Sequence, residues 1–345
     1  MMLGDLGADV IKVERPGSGD DTRGWGPPFA TDGQSAYFRS VNRNKRSVAL
    51  DFAVEADRAV ILDLLRDADV VIDNFLPGVL ARYGIDGDLL LAQHSQLIWC
   101  TISGFGSGSP RPGYDFVVQA ESGWMAITGE PDGDPMKVGV ALADVIAGKD
   151  AAIGILAALA ARRGATTPLA PAQRRVEVSL AGSATAALVN VAQNALVSGE
   201  EPRRWGNAHP NLVPYQLFHA ADRPLVVAVG TDAQWRALTS ALGLDALGSD
   251  PELATNAGRV TARDHVVHAL AAVLRTQSAA TWCARLDAAG VPCGLVRGVR
   301  EALADVTGSA HSGVPPLLGG TIRQAPPSLD ADGVSVREKR WDCFS

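Results

Sequence analysis

The chain has 345 residues, 47 % of them hydrophobic and 20 % charged, with a formal net charge of −7. This is the composition of a globular protein rather than a disordered one, and it is long enough for one large domain or two ordinary ones. The acidic balance argues against a nucleic-acid partner, and no apolar run reaches the roughly 20 residues that span a bilayer. The four cysteines, Cys100, Cys283, Cys293 and Cys343, form no CxxC pair, and no His stands at metal-ligand spacing from them. They read as reduced thiols in a cytoplasmic protein, consistent with the lack of a basic or apolar leader after Met1.

In chain order, Ala8–Glu14 alternates as a strand does, and Arg46–Asp51 is a second short strand. Glu55–Asp67 has helical spacing, with Val60, Leu62, Leu64 and Leu65 on one broad face. Asp69–Asp73 reads as a buried strand closed by Asn74-Phe75-Leu76-Pro77-Gly78, and Leu97–Ser103 as a strand running into a loop with Gly104, Gly106 and Gly108. Strand and helix alternating in this way predict parallel pairing with crossover helices. Asp144–Ala161 is the clearest helix, with Arg162-Arg163-Gly164 as its stop signal. Thr166–Gln173 reads as a surface loop, Arg175–Leu180 as a strand and Ala181–Val197 as one Ala-rich helix.

The composition shifts at Glu200–Pro214, which reads as a linker. A second unit follows, with strands at Pro224–Val229 and Val291–Val296 and helices at Thr231–Leu242, Val260–Leu274 and Ala279–Ala289. Past Gly308 an irregular tail is expected. The predicted division is a large domain over 1–199, a linker over 200–214, a small domain over 215–307 and a return to the large domain over 308–345.

Several chemistries lack their tools in this sequence. It has no G-x-G-x-x-G after its first strand, no Walker loop, no G-x-S-x-G elbow and no H-E-x-x-H. Carboxylates beside Gly-rich segments remain. Asp144 follows Gly139–Ala143 and opens an apolar helix, where the terminal amides are expected to keep it ionised as a nucleophile. Aspartate is also a favoured helix N-cap, so this pattern alone leaves both roles open. The glycines at 104, 106 and 108 allow close backbone approach to a ligand and expose amides to an oxyanion, or they make an ordinary flexible loop. Asn74-Phe75 offers a ring for stacking, or a turn with a core Phe. Arg15, Arg46 and Arg82 are placed to meet phosphates, or are solvated surface charges.

Taken together, the segments GADVIKVERPGSGDDTRGWGPP, NKRSVALD, VIDNFLPGVLARYGID, SGFGSGSPRPGYDFVVQAESG, GVALADVIAG and GNAHPNLVPYQLF resemble, in order, the signatures of the class III (formyl-CoA transferase type) CoA-transferases. The resemblance runs from about Leu6 to the Val291–Gly294 strand. It implies an α/β fold with a large doubly wound, Rossmann-like domain and a smaller α/β domain, in a homodimer of interlocked rings. Asp144 matches the family's catalytic aspartate, which carries the acyl group through an anhydride and a CoA thioester. Arg15 matches a residue at the CoA phosphate. Leu50, Asn74, Phe75 and Arg82 match the wall of the CoA site, and Tyr114 a position near the thioester. The implied substrates are acyl-CoA esters and carboxylic acids, with no tightly bound cofactor and no metal. The GNAHPNLVPY segment is similar to that of members using dicarboxylate acceptors such as succinate.

The family opens with a strand that has no counterpart ahead of Met1, and its usual ending differs from Pro327–Ser345. A CoA-binding chain with impaired catalysis is therefore one alternative. An α-methylacyl-CoA racemase or epimerase of the same fold is another, although members of that kind carry His-Asp where this chain has Tyr114-Asp115.

Overall fold

The computed structural model describes all 345 residues, which divide into two compact units. Unit 1 comprises Met1–Trp124, Val138–Val197 and Leu303–Ser345, and unit 2 comprises Met125–Lys137 and Ser198–Ala302.

Unit 1 is a parallel α/β assembly. Strands β1 (Ile11–Glu14) and β2 (Arg46–Ala49) pair in parallel, and β3 (Val70–Asp73), β4 (Ile98–Ser103) and β5 (Arg175–Ser179) form a three-stranded parallel sheet in that order. The strands therefore make two sheets, where a single doubly wound sheet was expected. Successive β4 side chains point to opposite faces, as the two-residue period requires. Trp99 packs with Val71, Val48 and Leu50 against the Glu55–Asp67 helix, while Cys100 packs with Val70 and Val176 against Ala151 and Ile155 of the Leu142–Gly164 helix. Helices thus cover both faces of the larger sheet, and one core spans both sheets beneath Glu55–Asp67. β3 itself is not a buried strand, since Ile72 is 51 % exposed.

The tail is not irregular either. Gly333–Lys339 is a helix, and Val336, Trp341, Cys343 and Phe344 complete the core under Glu55–Asp67. Just before it, Asp332 accepts the Ser47 amide at 2.9 Å and Asp330 the Ala49 amide at 2.7 Å. Two carboxylates thereby satisfy backbone donors of β2 that no neighbouring strand reaches. These partners lie more than 280 positions apart, too far for any local pattern to reveal them.

The Ala-rich segment after β5 is two helices, Leu180–Ala186 and Val189–Ser198, bent by 71°. Val189 sits at φ +42°, a conformation a β-branched residue rarely adopts, so composition gave no sign of the break.

Unit 2 is a three-stranded antiparallel sheet, β6 (Tyr215–His219), β7 (Pro224–Ala228) and β8 (Cys293–Leu295) in that order, packed on helices by Leu225, Val227, Trp235, Leu238, Leu270, Trp282 and Leu286. The expected helix over 260–274 divides at Ala262 into Asn256–Thr261 and Arg263–Leu274. The segment read as a linker is an ordered part of this unit. Arg204 donates to the carbonyls of Glu130 at 3.0 Å and Gly133 at 2.6 Å, which joins residues 125–137 to unit 2 rather than to the first 199 residues. Arg259 donates to Val213 and Arg263 to His209 and Pro210. Guanidinium groups stand here in place of strand partners for the carbonyls of His209, Pro210 and Val213.

Candidate active site around Asp144

The Leu142–Gly164 helix is long because its sequence is almost uninterrupted Ala, Ile and Leu, and its buried stripe runs through Ala143, Ala147, Ala151, Ile155 and Ala158. Its N-cap is Ala141, whose side chain caps nothing. Asp144 is the third helical residue and makes no hydrogen bond or ion pair, so the capping role left open by the sequence does not belong to it. The cap comes from elsewhere. Asp115 Oδ1 accepts the Ala143 amide at 2.8 Å, and Asp115 Oδ2 accepts from Gln119 Nε2 at 2.7 Å.

This arrangement inverts the expected electrostatics. The amide meant to stabilise Asp144 is engaged by Asp115, which adds a second negative charge nearby. Asp144 reaches solvent. Even so, surrounding protein and, secondarily, the Asp115 charge raise its pKa from 3.8 to about 6. The carboxyl is still mainly ionised at neutral pH, but it is held less comfortably than an ordinary aspartate.

Asp115 owes its place to a tight backbone crossing. It opens the helix Asp115–Glu121, just after Gly113. A Cβ on Gly113 would lie 2.1 Å from the Gly104 Cα, and one on Gly104 would lie 2.4 Å from the Gly113 Cα. Gly104 is therefore needed for contact between two chain segments, not for approach to a ligand. The Gly106 amide is likewise occupied, donating to Ser103 Oγ at 3.1 Å. The expected use of Gly104 and Gly106 as an oxyanion cradle does not fit these contacts. Gln119, fully buried, completes the frame by accepting the Val138 amide at 2.8 Å and donating to the Val140 carbonyl at 3.3 Å. It ties the approach to the Asp144 helix to the helix that carries Asp115.

Tyr37, which sequence reasoning did not single out, lies near this pair of carboxylates. Burial first, and then the charges of Asp144 and Asp115, push its phenol pKa upward, which places the ring within electrostatic reach of both carboxylates. Its helix, Ala36–Val41, is capped by Ser35, whose Oγ accepts the Tyr37 amide at 3.0 Å. Trp25 meets Tyr37 edge-on at 4.9 Å. The irregular Gly- and Pro-containing segment between Trp25 and Ser35 hid this pairing in the sequence. Tyr114 is 64 % exposed as the residue before Asp115, with its ring open to a ligand.

Of the other expected site residues, Arg15, Leu50, Asn74 and Phe75 follow the carboxyl ends of β1, β2 and β3, and Arg82 lies further on in the 3-10 turn Ala81–Tyr83. Arg15 follows β1, is largely exposed, and pairs with Asp21 at 2.7 Å. Phe75 follows β3, 41 % exposed, with its amide bonded to Asp73 Oδ1 at 3.1 Å. Its ring lies 5.7 Å from Phe52, which in turn lies 5.7 Å from Tyr83. This aromatic cluster brings Phe52 and Tyr83 beside the predicted wall, and neither stood out in the sequence. Asn74 and Arg82 are exposed next to it. Leu50 is different: it is 2 % exposed in the core beneath Glu55–Asp67, so its side chain is not on the surface of the site. Arg46 is also structural, paired with Asp332 at 2.7 Å and stacked over Phe344. No group of three or more His, Cys, Asp or Glu side chains is placed to hold a metal ion.

Residues 1–331 match the family described as CoA-transferase family III. A succinate–glutarate CoA-transferase of Agrobacterium fabrum is 42 % identical over 314 residues, covering 88 % of this chain and 77 % of that protein. An acetyl-CoA:oxalate CoA-transferase of Acetobacter aceti is 37 % identical across 98 % of this chain and 90 % of that protein. Among solved structures, a CaiB/BaiF family protein from Brucella suis superimposes with a TM-score of 0.83 at 37 % identity, covering 98 % of this chain and 93 % of that one.

Proposed function

The chain belongs to CoA-transferase family III and is a CoA-transferase, and from that premise we propose that Asp144 carries the acyl group between an acyl-CoA donor and a dicarboxylate acceptor. The observation that carries this reading is the state of Asp144: a carboxylate with no hydrogen-bond partner, open to solvent, and raised in pKa to about 6 by burial and by Asp115. A carboxylate stripped of stabilising partners is a better nucleophile than a capped one, and its charge is present at neutral pH.

The Asp144 carboxylate attacks the donor thioester carbonyl, and CoA thiolate leaves as the aspartyl–acyl anhydride forms. The thiolate then attacks the aspartyl carbonyl of that anhydride, which releases the donor's carboxylate and leaves an aspartyl–CoA thioester. An acceptor carboxylate attacks this thioester and expels thiolate, giving a second anhydride. Attack of the thiolate on the acceptor's carbonyl releases the new acyl-CoA and restores Asp144. Each step exchanges one activated acyl bond for another, so the cycle balances without an external energy source.

Arg15 supplies a cation for CoA phosphates, and Asn74, Phe75 and Arg82 form the wall against which the nucleotide end rests. Tyr114 and Tyr37 flank the acyl group. Dicarboxylate acceptors are favoured by the relative from Agrobacterium fabrum, whose name specifies succinate and glutarate. The assembly we propose is an interlocked ring-like homodimer. In support, Val145, Ile153 and Leu156 on the long helix and Leu196 and Val197 beyond the bend are exposed apolar residues, Leu196 by 79 %.

The test is Asp144→Asn assayed with succinyl-CoA and glutarate. Loss of all exchange, together with hydroxylamine trapping on the Val138–Lys149 peptide of the unmutated chain during turnover, is the expected outcome. Full activity in Asp144→Asn would sink this mechanism.

A further inference from the structure

Unit 2 holds a cleft of about 450 Å³ lined by Arg203, Trp205, Val260, Arg263, Asp264 and His265 among others, and Asp144 is not among its lining residues. The volume falls within the range of small-ligand sites. Two guanidinium groups share the indole of Trp205. Arg203 lies 3.9 Å from the ring centroid and Arg263 lies 4.6 Å from it. Two other arginines of this unit are matched to acids, Arg259 to Asp232 and Arg223 to Glu301, while Arg236, Arg275 and Arg285 are not. Arg203 and Arg263 are in no ion pair, although Asp264 stands next to Arg263 in the chain.

Two like charges at one ring repel, and partial burial worsens the repulsion. Burial and then the Arg203 charge hold the Arg263 guanidinium below its usual pKa, while Asp264 offsets this only in part. Arg263 cannot swing away, because the carbonyls of His209 at 3.0 Å and Pro210 at 2.9 Å fix one of its nitrogens. That leaves its remaining donors, and all those of Arg203, without a protein partner. The cleft therefore presents one anchored guanidinium, Arg263, and a second, exposed one, Arg203, with planar N–H donors beside an aromatic face.

We propose that this cleft is an anion-binding site, in which Arg203 and Arg263 together hold a compact oxyanion, a carboxylate or a phosphate, against Trp205. A guanidinium fork matches the geometry of either group, and the anion neutralises the repulsion that the pair otherwise carries. The site is independent of acyl transfer at Asp144.

The experiment titrates the full-length chain with sodium glutarate and with inorganic phosphate, against sodium chloride at equal ionic strength. Binding is followed by the fluorescence difference between the unmutated chain and Trp205→Phe, which isolates one indole among seven and so separates this cleft from glutarate bound at the Asp144 site. Arg203→Ala is the principal variant, since this exposed side chain supports no backbone. The expected result is saturable binding of at least one anion, weakened at least tenfold by Arg203→Ala, restored in part by Arg203→Lys, and unchanged by Asp144→Asn. Response to glutarate alone identifies a carboxylate ligand, to phosphate alone a phosphate ligand, and to both a general oxyanion site. Binding that survives Arg203→Ala intact, binding abolished by Asp144→Asn, or no binding of either anion would each overturn the proposal.

Discussion

Asp115 accepts the Ala143 amide at 2.8 Å across 28 positions of sequence, so the helix that presents Asp144 is capped by a different carboxylate from the one beside its first turn. The same contact places a negative charge near Asp144 and contributes, after burial, to its raised pKa. Asp115→Asn keeps an oxygen for the Ala143 amide but puts an NH₂ against Gln119 Nε2, also a donor. We expect the acidic limb of the kcat/KM–pH profile, centred near 6 in the unmutated chain, to move to lower pH. An unmoved limb with reduced kcat would mean that Asp115 acts only through geometry.

Stability should respond to pH through Asp144 in the opposite sense from a salt-bridged aspartate. Its folded-state pKa is raised from 3.8 to about 6, so the folded chain binds the proton more tightly than the unfolded one. The destabilisation is fully present above pH 6 and is relieved as the pH falls toward the ordinary aspartate value. Asp144→Asn should therefore melt at a higher temperature than the unmutated chain at about pH 7.5, with the gap closing by about pH 4. Were Asp144 instead a stabilising charge, the variant would melt lower at neutral pH; scanning calorimetry across this range decides the matter.

The crossing of Gly104 and Gly113 predicts a sharp contrast within one loop. Gly113→Ala forces a methyl to within 2.1 Å of the Gly104 Cα, where only backbone can yield. It should cost about 1–3 kcal/mol or more of stability and displace Asp115. Gly108→Ala meets nothing within 4 Å and should be nearly silent. Denaturant midpoints of the two variants measure the difference.

Arg15 is held by Asp21 on the surface, a pairing that solvent weakens and that a phosphate can replace. Arg15→Ala should raise KM for the CoA ester roughly tenfold, corresponding to the loss of about 1.4 kcal/mol from one charge-assisted contact, and leave KM for the carboxylate acceptor nearly unchanged. Equal effects on both substrates would assign Arg15 to the fold instead.

The exposed apolar residues of the long helix predict self-association. Ile153, 66 % exposed in the single chain, should be covered in the homodimer. Sedimentation at low micromolar concentration should show no monomer, and Ile153→Asp should reduce the dimer or its yield of folded protein. A folded, active monomer of the unmutated chain would contradict the interlocked assembly.

The sequence by itself determined the identity of the family, the helices over 55–67 and around Asp144, and the parallel strands, because these rest on local periodicity and on ordered short motifs. It also placed Arg15, Asn74 and Phe75 just after strands, where they are found. What it could not determine was who partners whom across the chain. Asp144 and Asp115 both precede or open helices, and only the tertiary contact to Ala143 decides which one caps. Leu50 reads like its site neighbours but is drawn into the core by Val48, Leu64 and Trp99. Gly104 reads like a ligand-facing glycine until Gly113 is seen to lie against it. Tyr37, the tail carboxylates Asp330 and Asp332, and the arginines over Trp205 act through contacts between residues distant in sequence or through charges that no local pattern brings together. Such contacts follow from the packing of the whole unit, and packing is a property of three-dimensional neighbours rather than of spacing along the chain.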